Sequence, residues 1–326
     1  MPLFRRRHLA LLPALLTPPG LARAEDRFPS RSLRLVVPWP PGGGVDVLAR
    51  LLQPALGAQL GQTVVIENIG GAAGRIGTQA AARATADGHT LLLANDTFAA
   101  TEALAAPGAP ALRHAFAPVS LAATAAQGVF THPRSGLRSI RDFAEALRRR
   151  PGGLNIGIPG IGSSQHLTSE LLLRAAGNLR AEHVPYRGGG PLLQDLLAGT
   201  IDAAVVTFAA AAQQATNGDL VALAVTSEAR TPAFPAVPTA AESIAPGFVQ
   251  PTWLGFFAPL GTPAAAIARL HAATLAALAD AGVQERLRAL GFEPAGLDGE
   301  QFGALFARTI ATFSDIVAER GIVAES

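Results

Sequence analysis

The chain of 326 residues is 49% hydrophobic, which is enough to build one or two domains around apolar cores. It has no cysteine, which excludes disulfides, zinc–thiolate sites and thiol nucleophiles. The net charge of +2 comes from 26 basic residues, all arginine, and 24 acidic ones, but four arginines and no acid precede residue 25. The remainder therefore carries 22 − 24 = −2, with scattered arginines, and we predict no nucleic-acid partner.

The first 24 residues have the three regions of a secretory signal peptide. A basic stretch at residues 5–8 precedes an apolar run at 9–16, and the Ala-Arg-Ala triplet at 22–24 fits the cleavage rule. The apolar run is far shorter than the about 20 residues that a membrane span needs. Arg6 and Arg7 also fit a twin-arginine signal. The pattern predicts export to the periplasm and leaves the Sec and twin-arginine routes open.

The next feature is a strand that runs into a glycine turn and a helix. Residues 35–37 predict a short buried strand, three prolines at 38, 40 and 41 end it, and the glycines at 42–44 leave backbone N–H groups unshielded. Helical spacing from Asp46 onward places these glycines at a helix N-terminus, which favours anions. The turn matches neither the dinucleotide fingerprint nor a P-loop. It therefore indicates a carboxylate rather than a nucleotide phosphate.

Alternating strands and helices predict an α/β chain of two lobes. Residues 63–67 and 90–94 are predicted strands around a helix at 76–86, as in a parallel, doubly wound sheet that binds ligands beyond its carboxyl ends. The run 119–131 is predicted to cross to a second lobe and 253–258 to cross back. Between them we expect strands at 154–158, 183–186, 201–206 and 220–226 and helices at 140–149, 167–175 and 191–198. The predicted lobes are residues 25–123 plus 251–326, and residues 124–250.

Two loops of the second lobe have the same pattern, a glycine-rich loop directly before a predicted helix. Residues 160–166 follow a strand and open a helix that Ser163 or Ser164 can cap, and residues 186–190 precede another helix. The sequence does not have the pattern of a hydrolase. Ser163, His166 and Asp202 could suggest a catalytic triad, but there is no G-x-S-x-G elbow, and Ser163 and His166 lie at the start of one helix. The His and carboxylate spacings indicate no metal cluster. We predict no enzymatic activity, no metal and no cofactor.

Each candidate side chain also has a structural interpretation. Asp46, Ser163 and Ser164 are helix caps by default. His166 can simply bond the backbone, and Tyr186 can pack in a core with its hydroxyl at the rim. The sequence leaves both interpretations open for each of them.

A series of short segments resembles the periplasmic solute-binding receptors of tripartite tricarboxylate transporters, the Bug-type family. The strongest is residues 35–50, and the resemblance extends over about residues 28–321. Further matching segments are residues 64–68, 87–91, 116–121, 183–187, 222–227, 235–239 and 258–263. Their order and spacing, more than any one of them, make the resemblance specific.

This resemblance implies a two-lobed periplasmic binding protein type II fold, with a doubly wound sheet in each lobe and a ligand cleft between them. It implies capture of a small carboxylate without a cofactor and delivery to integral-membrane transporter subunits, by a protein that we expect to be a monomer. Presentation of the ligand to a sensor kinase is the alternative. The implied ligand-binding residues are Pro40, Gly42, Gly43, Asp46, Thr97, Ser163, Ser164, His166 and Tyr186. We also count Trp39, at the expected mouth of the cleft, and Thr207 among the candidate ligand-binding residues.

Three departures from the family pattern bear on the ligand. Asp96 stands where a small residue is usual, and we hypothesise that it repels a tricarboxylate and favours a ligand with fewer charges or with an ammonium group. Phe98 and Phe208 would suit an apolar or aromatic tail.

Overall fold

The computed structural model describes residues 28–105 and 111–322; the predicted signal peptide, residues 1–24, lies outside them. The strands are β1 Leu33–Val37, β2 Val64–Asn68, β3 Thr90–Asn95, β4 Phe116–Ala125, β5 Gln127–Thr131, β6 Asn155–Ile158, β7 Glu182–Pro185, β8 Ala203–Thr207, β9 Val221–Val225, β10 Thr252–Pro259 and β11 Phe292–Asp298. The helices are α1 Gly44–Leu60, α2 Arg75–Ala82, α3 Thr97–Ala103, α4 Ile140–Arg149, α5 Ser164–Ala175, α6 Gly189–Ala198, α7 Phe208–Asn217, α8 Ala240–Ser243, α9 Ala264–Ala279, α10 Ala281–Ala289 and α11 Gly299–Arg320.

The first sheet has six strands in the order β11-β4-β10-β3-β1-β2. β1 pairs in parallel with β2 and β3, as the sequence predicts, but β10 is antiparallel to β3 and to β4. The predicted parallel arrangement thus holds for β1, β2 and β3, whereas the pairings of β10 with β3 and β4 and of β11 with β4 are antiparallel. The register explains why: Leu254, near the start of β10, pairs with Asn95 at the end of β3, because β10 returns from the second sheet and enters at the end where β3 leaves.

The second sheet has five strands in the order β7-β6-β8-β5-β9. β6 is parallel to β7 and β8, whereas β5 is antiparallel to β8 and β9. The predicted crossing run is thus two strands, β4 in the first sheet and β5 in the second, separated by Ala126 alone. The chain returns between β9 and β10. The exact lobe boundaries remain a prediction; they fall near these two passages.

Both faces of each sheet are buried, which is why the strands are apolar without strict alternation. In β1, Leu33, Leu35 and Val37 pack into one core with α1 and α9, while Val36 packs on the other face with α3 and α11. The second sheet is covered by α6 and α7 on one face and by α4 and α5 on the other. Each lobe therefore has its own core on either side of its sheet.

Several elements escaped the sequence analysis. α3 begins at Thr97, with only Asp96 between it and β3, and α7 begins at Phe208, directly after β8; no glycine or proline marks either change. α10 and β11 follow α9 closely, and α8 lies between β9 and β10; none of the three was predicted. α2 ends at Ala82, four residues before its predicted end. The starts of α3 and α7 have no side-chain cap, whereas α8 and α10 begin at the capping residues Thr239 and Asp280 and were missed all the same.

Within residues 28–105 and 111–322, no single helix has the length and apolar character of a membrane span. α9 and α10 meet the criterion of length and composition only when taken together, and they are bent by 73°.

Candidate ligand-binding site between the two sheets

Helix N-termini from both lobes meet where the two sheets face each other. The start of α1 lies against the start of α6: a Cβ placed on Gly43 would be 3.7 Å from the backbone nitrogen of Gly189. The start of α3 lies against the start of α5, where the Thr97 and Ser164 hydroxyl oxygens are 3.1 Å apart. Because helix N-termini carry unpaired N–H groups and a partial positive charge, this seam is suited to an anion.

The close approach of the lobes requires glycine at two positions. A Cβ on Gly44 would lie 2.6 Å from the Cβ of Thr207, and one on Gly190 would lie 2.1 Å from the carbonyl oxygen of Pro41. Any side chain at either position would hold the lobes apart. The predicted glycine turns therefore meet each other through their backbones.

Asp46 holds the first glycine turn in shape. Its Oδ2 accepts from the Gly42 N–H and from Arg50 Nε, both at 2.9 Å, and its Oδ1 accepts from Asn68 Nδ2 at 2.9 Å. Burial by itself would raise the pKa of Asp46, but the hydrogen bonds from Arg50, Gly42 and Asn68 outweigh it and leave the pKa below its usual value. Because both of its carboxylate oxygens are already hydrogen-bonded within the first lobe, Asp46 holds the turn at residues 42–44 in place.

The loop at residues 160–163 and the start of α5, here called the second jaw, form the predicted side of the cleft that belongs to the second lobe. Ser163 caps the helix by accepting from the His166 N–H at 3.2 Å. Thr97 Oγ1 accepts from the Ser164 N–H at 3.1 Å, a bond that joins the two lobes. His166 Nδ1 accepts from the Gly162 N–H at 3.2 Å, so this histidine does bond the backbone. Burial, together with the nearby His183, lowers the pKa of His166 to about 4, and its ring is neutral at pH 7.

Asp96 lies in the seam rather than on the cavity wall. It is 1% exposed and its Oδ1 accepts from Thr252 Oγ1 at 2.5 Å, while its Oδ2 has no hydrogen bond of good geometry. Burial raises the pKa of Asp96 to about 7, an increase that the Ser164 and Thr252 hydroxyls oppose. The hypothesis that Asp96 repels a polyanion by direct contact has no support in this position.

The two phenylalanines assigned to a ligand tail belong to the cores. Phe98 is 4% exposed and packs against Phe116, Phe257 and Phe306. Phe208 is fully buried and packs against two other phenylalanines of the second lobe. Both expectations are wrong, because these residues start helices whose apolar faces turn toward the sheets.

The cavity between the glycine turns is small. Its volume of about 30 Å³ compares with the roughly 10–15 Å³ that one water needs, so the lobes are closed on each other. It is lined by Trp39, Gly43, Gly44, Val45, Asn95, Pro159, Gln165, Gly189, Val206, Thr207 and Ala210. None of these lining residues is charged. An anion here would be held by backbone N–H groups, amides and a hydroxyl.

Of the predicted binding residues, Trp39, Gly43 and Thr207 line this cavity. The others are not among its lining residues. They are Pro40, Gly42, Asp46, Thr97, Ser163, Ser164, His166 and Tyr186. The Tyr186 hydroxyl donates to Asp195 at 2.7 Å, and burial together with this carboxylate raises the pKa of Tyr186 to about 12. Asn95 and Gln165 were missed as lining residues. Asn95 is the last residue of β3, and Gln165 is the second residue of α5, within the segment 160–166 that the sequence had singled out.

Among the described residues, one group of histidine and acidic side chains lies close enough together to hold a metal ion. It consists of His166 and Glu170, one turn apart on α5, and His183 on β7. Sequence spacing had indicated no such cluster, because His183 comes from a different element.

Two α/β lobes joined by two chain passages, with helix N-termini meeting in the cleft, define a two-lobed periplasmic binding protein. The family model described as "Tripartite tricarboxylate transporter family receptor" matches residues 48–322. The chain belongs to this family of solute-binding receptors.

Curated relatives match along almost the whole chain. A UPF0065 protein from the tcbD-tcbE intergenic region of Pseudomonas sp. strain P51 is 39% identical over 97% of this chain and 94% of its own length. Protein BugT of Bordetella pertussis is 34% identical over 97% of this chain and 98% of its own length. The Bug-type resemblance is thereby confirmed.

Two solved structures with bound ligands share the fold. Rpa4515 of R. palustris with adipate has a TM-score of 0.85 at 30% identity and covers 91% of this chain and 99% of its own. MatC from Rhodopseudomonas palustris with bound malate has a TM-score of 0.81 at 32% identity and covers 89% of this chain and 100% of its own. The two-lobed fold predicted from the sequence is therefore confirmed.

Proposed function

We propose that this protein captures a small carboxylate in the cleft between its lobes and delivers it to the membrane subunits of a tripartite tricarboxylate-type transporter. The observation that carries the proposal is the meeting of the α1 and α6 N-termini, from opposite lobes, across the glycine backbones of Gly43 and Gly189. Membership of a receptor family supports it, as do relatives with adipate and malate bound.

The ligand that fits this cleft carries fewer charges than a tricarboxylate. The cavity walls offer Asn95, Gln165 and Thr207 as polar side chains, and Trp39 and Val206 among the apolar ones, without any cationic group. Each anionic group must therefore be met by a helix N-terminus. Short mono- or dicarboxylates with an otherwise weakly polar body satisfy this requirement best.

Closure and binding are coupled in the proposed cycle. The open form admits the ligand, and the ligand favours closure only through contacts that it makes with both lobes at once. Micromolar affinity requires about 8 kcal/mol. Hydrogen bonds to a charged group contribute roughly 1.5–3 kcal/mol each, so about four to six donors suffice even after the cost of association. An arginine clamp is not needed.

The remaining parts of the proposal concern location and assembly. We propose that residues 1–24 direct export and are removed, so that the mature chain begins at Glu25 in the periplasm. We further propose that the receptor acts as a monomer, since the cleft is completed within one chain. It acts as a receptor, without an enzymatic activity of its own.

A thermal-shift screen of the mature chain tests the proposal. The protein is first unfolded and refolded to remove any bound ligand, then mixed with mono-, di- and tricarboxylates, amino acids and aromatic acids. At about 1,000 times its Kd a ligand adds about 4.1 kcal/mol, which raises Tm by several degrees at roughly 2–4 °C per kcal/mol. We expect the largest shifts from dicarboxylates. A folded protein that responds to none of these acids would refute carboxylate capture.

A further inference from the structure

A cluster of three metal-ligating side chains lies on the second lobe. His166 and Glu170 are four residues apart on α5 and so share one face of the helix. His183 lies on β7, the edge strand of the second sheet. One ligand atom from each of the three lies within 4.8 Å of the other two. Glu170 and His183 are not among the candidate carboxylate-binding residues, whereas His166 is shared with them.

The best-defined pair in the cluster already has the spacing of two ligands on one metal ion. His183 Nδ1 is 3.3 Å from Glu170 Oε1. Bonds of about 2.0–2.1 Å to a tetrahedral zinc ion place neighbouring ligand atoms about 3.3 Å apart. His183 Nε2 is 2.8 Å from the hydroxyl oxygen of Ser169, which is 2% exposed. When this nitrogen donates to Ser169, the lone pair of Nδ1 faces Glu170, the arrangement in which an outer hydrogen bond orients a metal ligand.

We propose that His166, Glu170 and His183 bind one Zn²⁺ ion. Two imidazole nitrogens and one carboxylate oxygen are a ligand set that zinc accepts, with a fourth position left for water. A harder ion such as Mg²⁺ or Ca²⁺ would demand more oxygen ligands than this cluster offers.

The cluster has a route for a hydrated ion. The Glu170 side chain is 31% exposed, and it borders an open hollow of about 340 Å³ shared with Asn178 and Arg180. The His183 side chain, 11% exposed, lies behind it, and His166 lies deepest. An ion thus reaches the carboxylate first and the imidazoles next.

Zinc binding has a consequence for the jaw. The lone pair of His166 Nδ1 accepts the Gly162 N–H, so the proton of the neutral ring is on Nε2. Coordination through Nδ1 would displace that N–H. Coordination through Nε2 would move the ring proton to Nδ1, which could then no longer accept. In both cases the bond that anchors the loop before Ser163 is lost.

Zinc binding and the hydrogen bond from Gly162 to His166 in the second jaw are therefore mutually exclusive. If the loop at residues 160–163 grips the carboxylate, which rests on the proposed function, zinc weakens carboxylate binding and the carboxylate weakens zinc binding by the same factor. The zinc site itself stands whether or not the ligand is a carboxylate.

Calorimetric titration of ZnCl₂ into the tag-free mature chain, after treatment with a chelator, tests the site. We expect one zinc per chain, and binding at least about 10- to 100-fold weaker in Glu170→Gln and in His183→Gln. The matched control is His271→Gln, because His271 Nδ1 lies 3.0 Å from the Ser120 hydroxyl in the first lobe and forms a similar His–Ser pair outside the cluster. This variant should bind zinc as the unaltered chain does.

Three results would overturn the proposal. They are a folded chain that binds no zinc, binding unchanged in both cluster variants, and equal weakening in His271→Gln. Substitution of Co²⁺ adds a spectroscopic check, since a four-coordinate site gives strong visible absorption that Glu170→Gln should abolish. A carboxylate from the thermal-shift screen is then titrated with and without zinc. Failure of every carboxylate to bind would refute the proposed function and leave the zinc result standing.

Discussion

The two helix starts of the first lobe, at α1 and α3, each bury a carboxyl group beside the cleft, yet in opposite electrostatic states. Asp46 is 3% exposed and Asp96 is 1% exposed, so burial does not distinguish them. The bonding does. Asp46 accepts from an arginine, an amide and a backbone N–H, whereas one oxygen of Asp96 accepts from Thr252 and the other lacks a well-formed bond. The pKa is lowered in the first and raised to about 7 in the second.

The difference shows that the first lobe has one carboxyl group whose surroundings do not depend on closure of the lobes and another whose surroundings do. All partners of Asp46, namely Gly42, Arg50 and Asn68, lie in the first lobe, so the shape of its turn does not depend on closure. Asp96 faces the hydroxyl of Ser164 from the second lobe, so its surroundings change when the lobes part. One carboxyl group shapes the jaw, and the other is sensitive to whether the jaw is closed.

Removal of the fixed carboxylate should have the largest effect. Asp46→Ala removes the carboxylate that accepts from the Gly42 N–H, from Arg50 and from the Asn68 amide, and hydrogen bonds to a charged group contribute roughly 1.5–3 kcal/mol each. We expect the free energy of unfolding to fall by about 3 kcal/mol, as measured by urea denaturation. Asp87→Ala is the control, because Asp87 also accepts from an arginine and a backbone N–H but is 36% exposed. Equal losses in the two variants would contradict the role given to Asp46.

Obstruction of the seam comes next in size. Gly44→Ala places a methyl group 2.6 Å from the Cβ of Thr207 when the lobes are closed. Overpacking of this kind costs about 1–3 kcal/mol, so carboxylate affinity should fall about 10- to 100-fold by calorimetry. Gly303→Ala, whose Cβ would be 3.4 Å from the Pro118 side chain in the first lobe, is the matched control and should bind normally. Unchanged affinity in Gly44→Ala would show that binding does not need this closed geometry.

A smaller effect is expected from pH. Because the pKa of Asp96 is raised to about 7 in the closed form and returns toward about 3.9 in water, the closed form holds more protons in between. The contribution of Asp96 to the stability of the closed form is therefore complete below about pH 4 and is lost as the pH rises through about 7. One pKa unit corresponds to about 1.4 kcal/mol of free energy. Because the lobes open once the closed form is no longer favoured, we expect the free-energy preference for the closed form to fall by about 1–2 kcal/mol.

Small-angle X-ray scattering between pH 4 and pH 8 measures this change. The radius of gyration of the ligand-free chain should increase as the pH rises, and Asp96→Asn should remain compact throughout. Asp46→Asn is the control, and its radius of gyration should still increase as the pH rises. A pH profile that Asp96→Asn does not alter would show that Asp96 does not control closure.

The sequence was sufficient wherever local chemistry decides the structure. The turn at residues 42–44, the Ser163 cap and α4 at Ile140–Arg149 depend on glycine conformation, capping hydroxyls and helical spacing, and all three appear where predicted. The family resemblance supplied the relation between the two lobes. Neither source of information required long-range contacts to be known.

The failures share a cause in long-range packing. The antiparallel direction of β10 depends on where the chain re-enters the first sheet, which no local pattern records. Phe98 and Phe208 point into the cores because of the helices that they begin, and those helices carry no start signal. His183 approaches α5 only because β7 pairs with β6. Contacts between distant segments placed each of these side chains.

The measurement that tests the central claim most directly is calorimetric titration of malate and adipate into the ligand-stripped mature chain. The account predicts saturable binding of at least one of these dicarboxylates with one site per chain, and weaker or absent binding of a tricarboxylate, because the cavity walls offer no cationic side chain. A folded chain that binds neither dicarboxylate, or that prefers the tricarboxylate, would contradict it.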